Sequence, residues 1–190
     1  MIKRILYTFF SLFLIYQSFK IVMLITDVNL DSWPISLLLA CLINLFVTGA
    51  FAFPGFVYPT ERLMPQSYYK ISNDALQKKM YKLFSVDTFQ KFLLATVWRK
   101  KEMQKQHFDG KRSGFENLIL QSKKSEFGHL IPFVILLAIS MYWLGIGTWK
   151  VAVLTTFINV LFNLYPVLLQ RQHRMRVSKI AERYRLKPLQ

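Results

Sequence analysis

The sequence has a single cysteine, only three histidines and few acidic residues, with 10 Asp and Glu against 25 Lys and Arg. One cysteine, Cys41, excludes an intrachain disulfide framework and a cysteine-based metal site. Three histidines are too few for a histidine-rich di-iron centre. A Gly-x-Ser-x-Gly elbow, a glycine-rich phosphate loop and a His-Glu-x-x-His zinc helix are also missing. We therefore predict no metal site and none of the enzyme classes that these motifs mark.

The sequence is rich in long apolar runs, and 53% of its residues are hydrophobic. A helix needs about 20 mostly apolar residues to cross a bilayer. Four stretches are long enough for this: residues 5–26, 33–53, 130–146 and 151–169. Lys20, the only charge within them, lies within snorkelling reach of an interface. The sequence thus predicts an all-α membrane protein, residues 1–190 forming one membrane domain with four transmembrane helices.

The basic residues predict the orientation of these helices. Residues 54–129 contain 14 Lys or Arg and residues 170–190 contain seven, whereas the connection around Asp27 and Asp31 has two acids and no base. Basic segments near membrane spans stay in the cytoplasm. We therefore predict a multi-pass protein of the cell membrane with both termini, the central segment 54–129 and the basic tail 170–190 on the cytoplasmic side.

The net charge of +15 favours anionic lipid headgroups as partners. No nucleic-acid-binding motif accompanies the basic residues, so we predict no nucleic-acid partner.

The central segment is too long for a bare loop and is predicted to form amphipathic helices. Asn73 and Asp74 can cap a first helix, and a second helix is expected after Asp87. These helices would either lie in the headgroup plane or pack on the transmembrane bundle. The proline-rich stretch 53–65 is predicted to be an ordered loop, and a break at residues 109–114 is predicted to precede a short amphipathic approach to the third span.

Glu126 and His129 are the first candidates for chemistry. They are three residues apart where the third span begins, so they share a helix face. A carboxylate can hold a histidine in one tautomer, which would make His129 a general base and Glu126 its orienter. The alternative is that Glu126 stabilises a helix start and His129 marks the membrane interface.

A polar stripe along the fourth span and its cytoplasmic extension supplies further candidates. Its members within a 100° sector are Asn159, Asn163, Pro166, Gln170 and Arg174. Arg171, Arg174 and Arg176 can clamp a phosphate or carboxylate by two hydrogen bonds each. Their alternative interpretation is the ordinary positive flank of a transmembrane helix.

The C-terminal half resembles the glycosyl-4,4'-diaponeurosporenoate acyltransferases, a family that attaches a fatty acyl chain to a glycosylated carotenoid. The resemblance covers roughly residues 80–180 and depends on residues that occur in the same order as in the family. The first is a Lys-rich stretch that ends in Asp109-Gly110. It is followed by Glu126, His129, Asn163, Gln170-Arg171, Arg174 and Arg176. The chain departs from the family at Gln172 and His173, where Tyr and Asn are usual, and its first hydrophobic span looks like an addition.

The resemblance implies a membrane-bound acyltransferase that uses an acyl thioester as co-substrate and holds no bound cofactor. Its acceptor would be a hydroxyl of a glycosylated carotenoid or another glycolipid. In this interpretation His129 and Glu126 are catalytic, whereas Arg171, Arg174 and Arg176 bind the donor. Asn163 and Gln170 would donate hydrogen bonds to the developing oxyanion.

Two other functions compete with this interpretation. A small membrane methyltransferase has a similar layout, but it usually carries paired acids after the last span, where this chain has only Glu182. A non-catalytic assembly or lipid-organising protein would use Glu126 and Arg174 only as a structural ion pair.

Overall fold

The computed structural model describes residues 1–25, 32–70, 74–83, 85, 86, 88 and 112–183. All regular elements of these residues are helices. In chain order they are α1 (Ile2–Leu24), α2 (Trp33–Gly55), a 3-10 turn (Thr60–Arg62), α3 (Gln66–Tyr69), α4 (Asp74–Leu83), α5 (Arg112–Gly145), α6 (Trp149–Asn159), a π-helical turn (Val160–Leu164) and α7 (Tyr165–Arg183).

Among the described residues, four helical stretches are long and apolar enough to cross a membrane: Ile2–Leu24, Trp33–Gly55, Glu116–Gly145 and Trp149–Lys179. The shortest have 23 residues, which at 1.5 Å per residue is about 34 Å, enough for a hydrocarbon layer of about 30 Å. Large apolar side chains stay exposed along them, as Phe9 of α1 does at 65%. Such surfaces suit contact with lipid, and the prediction of an all-α fold with four spanning helices is confirmed.

The last two spans lie within longer helices than their apolar stretches predict. The third predicted span, residues 130–146, lies in a helix that begins at Arg112, so residues 112–114 are helical rather than part of the predicted break. The fourth, residues 151–169, continues to Arg183. Ser, Lys, Gln and Arg in these extensions are tolerated in helices although they are not apolar.

Some predictions fall on residues outside the described ranges. They are the acidic connection around Asp27 and Asp31, the Asn73 cap, the second amphipathic helix after Asp87, the Asp109-Gly110 part of the break and the tail beyond Arg183.

The chain divides into two compact units. The first unit is Met1–Thr60 with Phe127–Pro166, and the second unit is Glu61–Glu126 with Val167–Gln190. The assignment of residues 1–190 to a single membrane domain stays a prediction.

The core of the first unit is built on small residues of α2. Ser11 of α1 donates a hydrogen bond to the carbonyl of Ala50, and a Cβ added at Gly49 would lie 2.7 Å from Leu14 Cδ1. Small residues let membrane helices approach closely in this way. The buried core includes Ile43 and Trp143, both 0% exposed.

Aromatic residues mark one end of the first unit. Trp33 and Trp149, at the N-terminal ends of α2 and α6, pack edge to face with centroids 5.6 Å apart. Lys150 Nζ lies 5.8 Å and 5.9 Å from the two ring centroids. Tryptophan with a neighbouring lysine is typical of a membrane–water interface.

Candidate functional site

Glu126 is the centre of a polar cluster in the second unit. The residue is 0% exposed, and both of its carboxylate oxygens are bound. Oε1 accepts hydrogen bonds from Tyr68 OH and Arg171 Nε, each at 2.7 Å, and Oε2 accepts one from Arg174 Nη2. Charge-assisted bonds of this kind are the strongest that side chains form. The carboxylate thus fixes the positions of two guanidinium groups.

Two serines of α5 and the polar start of α7 hold this cluster together. Arg174 Nη1 donates to Ser122 Oγ at 3.0 Å, and Ser122 Oγ donates to the carbonyl of Gln170 at 3.1 Å. Gln170 Nε2 donates to Ser125 Oγ at 3.2 Å. Ser122, Ser125 and Glu126 share a face of α5 because they are three and four residues apart. This spacing was visible in the sequence, although the two serines were not predicted as site residues.

Two tyrosines of the short helix α3 complete the cluster. Arg171 Cζ lies 4.9 Å from the ring centroid of Tyr68, and Arg174 Cζ lies 5.4 Å from that of Tyr69. The two rings meet edge to face at 5.1 Å. Guanidinium groups at these distances are attracted to the ring faces. The contacts of these tyrosines with α7 depend on tertiary packing, so the sequence alone does not indicate them.

We expect Tyr68 and Tyr69 to ionise at higher pH than ordinary tyrosines. Burial, followed by the negative charge of Glu126, raises the pKa of each phenol from 10.0 to about 12. Because the folded pKa exceeds the unfolded value, the resulting stabilisation is complete below about pH 10 and is lost as the pH rises towards 12. The phenolate absorbance of the wild type and of Tyr68→Phe is measured against pH in detergent. The difference between the two titration curves reports the ionisation of Tyr68 alone. A difference curve centred near pH 10 would contradict the buried contact.

His129 is part of a second polar cluster, which lies in the first unit. Its Nδ1 is 3.1 Å from Asn163 Oδ1, and Thr48 Oγ1 donates to the same oxygen at 3.1 Å. Asn163 Nδ2 donates to Asn159 Oδ1 at 3.0 Å, and Asn159 Nδ2 donates to the carbonyl of Phe133 at 2.9 Å. Asn159 and Asn163 are both 0% exposed.

The Phe133 carbonyl sets the direction of this chain of hydrogen bonds. A carbonyl can only accept, so Asn159 presents its amide N–H to Phe133 and its oxygen to Asn163. Asn163 therefore directs its own oxygen at His129, whose Nδ1 must carry a proton to donate. With Nδ1 donating to Asn163, Nε2 is the basic nitrogen of the neutral imidazole.

The π-helical turn separates α6 from α7 directly after Asn159 and contains Asn163. Such turns insert an extra residue into a helix and are frequent at functional sites. The position of the turn was not predicted from the sequence.

The structure assigns partners to most of the predicted site residues. Glu126, Gln170, Arg171 and Arg174 lie together in the second unit, whereas His129 and Asn163 are hydrogen-bonded to each other in the first unit. The orienting partner predicted for His129 was Glu126, and the bond to its Nδ1 is made by Asn163 instead. Arg176 is exposed. Among the side chains that the structure describes, no three His, Cys, Asp or Glu are grouped to hold a metal ion.

The fold and these clusters define a multi-pass helical membrane protein with buried polar groups. A profile of the glycosyl-4,4'-diaponeurosporenoate acyltransferases matches residues 65–183, more than half of the chain, and the chain belongs to this family. The resemblance predicted from residues 80–180 is thereby confirmed. The matched region includes Tyr68, Glu126, His129 and Asn163 but excludes Thr48. Comparison with curated proteins and with solved structures gave no significant match.

Proposed function

We propose that this protein transfers a fatty acyl group from an acyl thioester to a sugar hydroxyl of a glycosylated carotenoid or another membrane glycolipid. Family membership supports the reaction class and the kind of acceptor. The observation that carries the mechanism is the hydrogen bond between His129 Nδ1 and Asn163 Oδ1, because it leaves a basic nitrogen on a histidine held within the bundle.

In the proposed reaction, His129 Nε2 removes the proton from the sugar hydroxyl. The hydroxyl oxygen then bonds to the thioester carbonyl carbon, and the carbon–sulfur bond breaks to release a thiolate. The imidazolium returns its proton to that thiolate, so His129 ends neutral. A positioned general base of this kind contributes about 100- to 10,000-fold to a rate.

The amide of Asn163 is proposed to stabilise the developing oxyanion. It uses one N–H in a described hydrogen bond to Asn159. A primary amide has two N–H donors, so it can still supply one. Donors held in place before the reaction stabilise a transition-state charge without reorganisation. Gln170, which donates to Ser125, is proposed as a substrate-binding residue of the second unit.

Arg171, Arg174 and Arg176 are proposed to bind the anionic part of the donor. Glu126 fixes the first two of these guanidinium groups, which is a structural role that differs from catalysis. A fixed planar fork can bind an anion with little loss of side-chain entropy.

We propose that both termini and the basic segments face the cytoplasm. The 21 Lys and Arg of residues 54–129 and 170–190 and the interfacial pair Trp33 and Trp149 support this orientation. A cysteine placed at residue 187 in a Cys41→Ser background should react with a membrane-impermeant maleimide only after cells are opened. Labelling of intact cells would contradict the orientation.

The proposed function is tested by the masses of lipid and pigment extracts from cells with and without this protein, supplied with a glycosylated carotenoid. We expect a new species heavier than the acceptor by one fatty acid less one water. Extracts that stay identical at verified expression of the protein would contradict the proposal.

A further inference from the structure

The polar cluster of the second unit contains two buried cations, Lys123 and Arg174, and two buried carboxylates, Glu61 and Glu126. Glu126 forms ion pairs with Arg174 and with the partly exposed Arg171, and Glu61 forms one with the partly exposed Lys124. Buried charges without a counter-ion are costly, so a buried cation outside these ion pairs favours a bound anion.

Lys123 is the buried cation outside these ion pairs. The residue is 8% exposed, yet its Nζ donates to the neutral amide oxygen of Gln66 at 2.9 Å and lies 5.4 Å from the ring centroid of Tyr69. Glu61 attracts its charge, but among the residues that the structure describes no carboxylate lies within ion-pair distance of it. The neighbouring Lys124 differs, because its Nζ lies 4.0 Å from Glu61 Oε2.

Two buried donors beside Lys123 have no acceptor within the described part of the chain. They are the hydroxyl of Tyr69 and the Nε of Arg174, on residues that are 5% and 4% exposed. The Lys123 ammonium and the Arg174 guanidinium both lie 5.4 Å from the centroid of the Tyr69 ring. They also repel each other, and a nearby anion would reduce this repulsion.

We propose that Lys123, Tyr69 and Arg174 form a buried binding site for a phosphate group. Phosphate supplies several acceptor oxygens and a negative charge, which match the three donors and the ammonium of Lys123. The raised pKa of Tyr69, about 12, keeps its hydroxyl protonated as a donor at neutral pH. This inference deepens the proposed function, since it names the chemical group by which the site recognises a phosphate-bearing acyl donor or a lipid headgroup.

The test uses the full chain purified in a maltoside detergent, which contains no phosphate. Binding is measured by calorimetry for 4'-phosphopantetheine, for pantetheine as its phosphate-free counterpart, and for short-chain phosphatidylglycerol. We expect 4'-phosphopantetheine or phosphatidylglycerol to bind and pantetheine to bind at least about tenfold more weakly. Preference for the first probe identifies a soluble donor, and preference for the second identifies a lipid headgroup.

Variants distinguish binding at this site from nonspecific attraction of an anion to a basic protein. Lys123→Gln should weaken binding of the preferred probe at least about tenfold, and Tyr69→Phe should weaken it several-fold. Arg62→Gln makes the same change in net charge, but the Arg62 side chain is 80% exposed, so binding should change less than about twofold. Equal losses in Lys123→Gln and Arg62→Gln, or no phosphate-dependent binding, would overturn the proposal.

Folding and turnover are controlled separately. If Lys123→Gln does not fold, as judged by circular dichroism and thermal unfolding, Tyr69→Phe decides the outcome, because it removes one oxygen and keeps the ring. Since the assay needs no turnover, phosphate binding without acylated product refutes only the proposed function. Acylated product without phosphate-dependent binding refutes only the site.

Discussion

Replacing His129 with glutamine is expected to lower the rate of acyl transfer at least about 100-fold, while the amount of membrane-inserted protein stays the same. Glutamine keeps a polar side chain at the position but has no nitrogen that accepts a proton near neutral pH. The expected loss is the contribution of a general base. The measurement is the initial rate of acylated glycolipid formation in membranes that contain equal amounts of wild type and variant.

His173→Gln is the matched control, because the chain offers a second histidine outside the proposed base and donor residues. Its rate should stay within about twofold of the wild type. Asn163→Leu should also lower the rate, since it keeps His129 but removes both the acceptor that fixes Nδ1 as the donor and a proposed oxyanion donor. A pH–rate profile that changes shape in Asn163→Leu would support a positioning role, because lost packing alone lowers the rate at every pH.

The same experiment separates the enzyme from a non-catalytic membrane protein. The buried pair of Glu126 and Arg174 has the geometry that a purely structural ion pair would have. A scaffold of that kind would retain its cellular function when His129 is replaced. Full product formation by a well-inserted His129→Gln protein would therefore remove His129 as the base, and equal product formation in membranes without the protein would favour the lipid-organising alternative.

The number and type of the spanning helices could be predicted because hydropathy over about 20 residues depends only on local sequence. Helix length was harder to predict, since α5 and α7 continue beyond their apolar stretches. Lys123, Lys124 and Arg174 lie in those continuations, and their charges resembled solvated flanks. These side chains pack against α3 and the facing helix, which reduces their exposure to solvent. The number of charged residues in a sequence does not reveal this packing.

Partners within the candidate sites were predictable only when they were close in sequence. Glu126 and His129 are three residues apart, so the sequence favoured pairing them. Their described hydrogen-bond partners come from distant segments: Tyr68 for the carboxylate and Asn163 for the imidazole. Polar residues at the right depth could be recognised in the fourth span, but the packing that selects their partners is a property of the whole fold.

The interior of the second unit depends on one carboxylate. Glu126→Gln keeps the size of the side chain but removes the charge that holds Arg171 and Arg174, whose side chains are 27% and 5% exposed. Removing one member of a buried ion pair typically costs about 3–5 kcal/mol, because the remaining charge is uncompensated. We expect a loss of this size in the free energy of unfolding, measured by denaturant titration in detergent.

Two further variants test whether the uncompensated charge causes this loss. Glu61→Gln should cost less than Glu126→Gln, because the ion pairs of Glu61 are longer, at 3.8 and 4.0 Å. The double variant Glu126→Leu with Arg174→Met should be more stable than Glu126→Gln alone, because it removes the most deeply buried cation together with its partner. If instead the double variant loses more than the single one, the hydrogen bonds of Arg174 to the rest of the cluster, and not charge compensation, would account for the stability of the second unit.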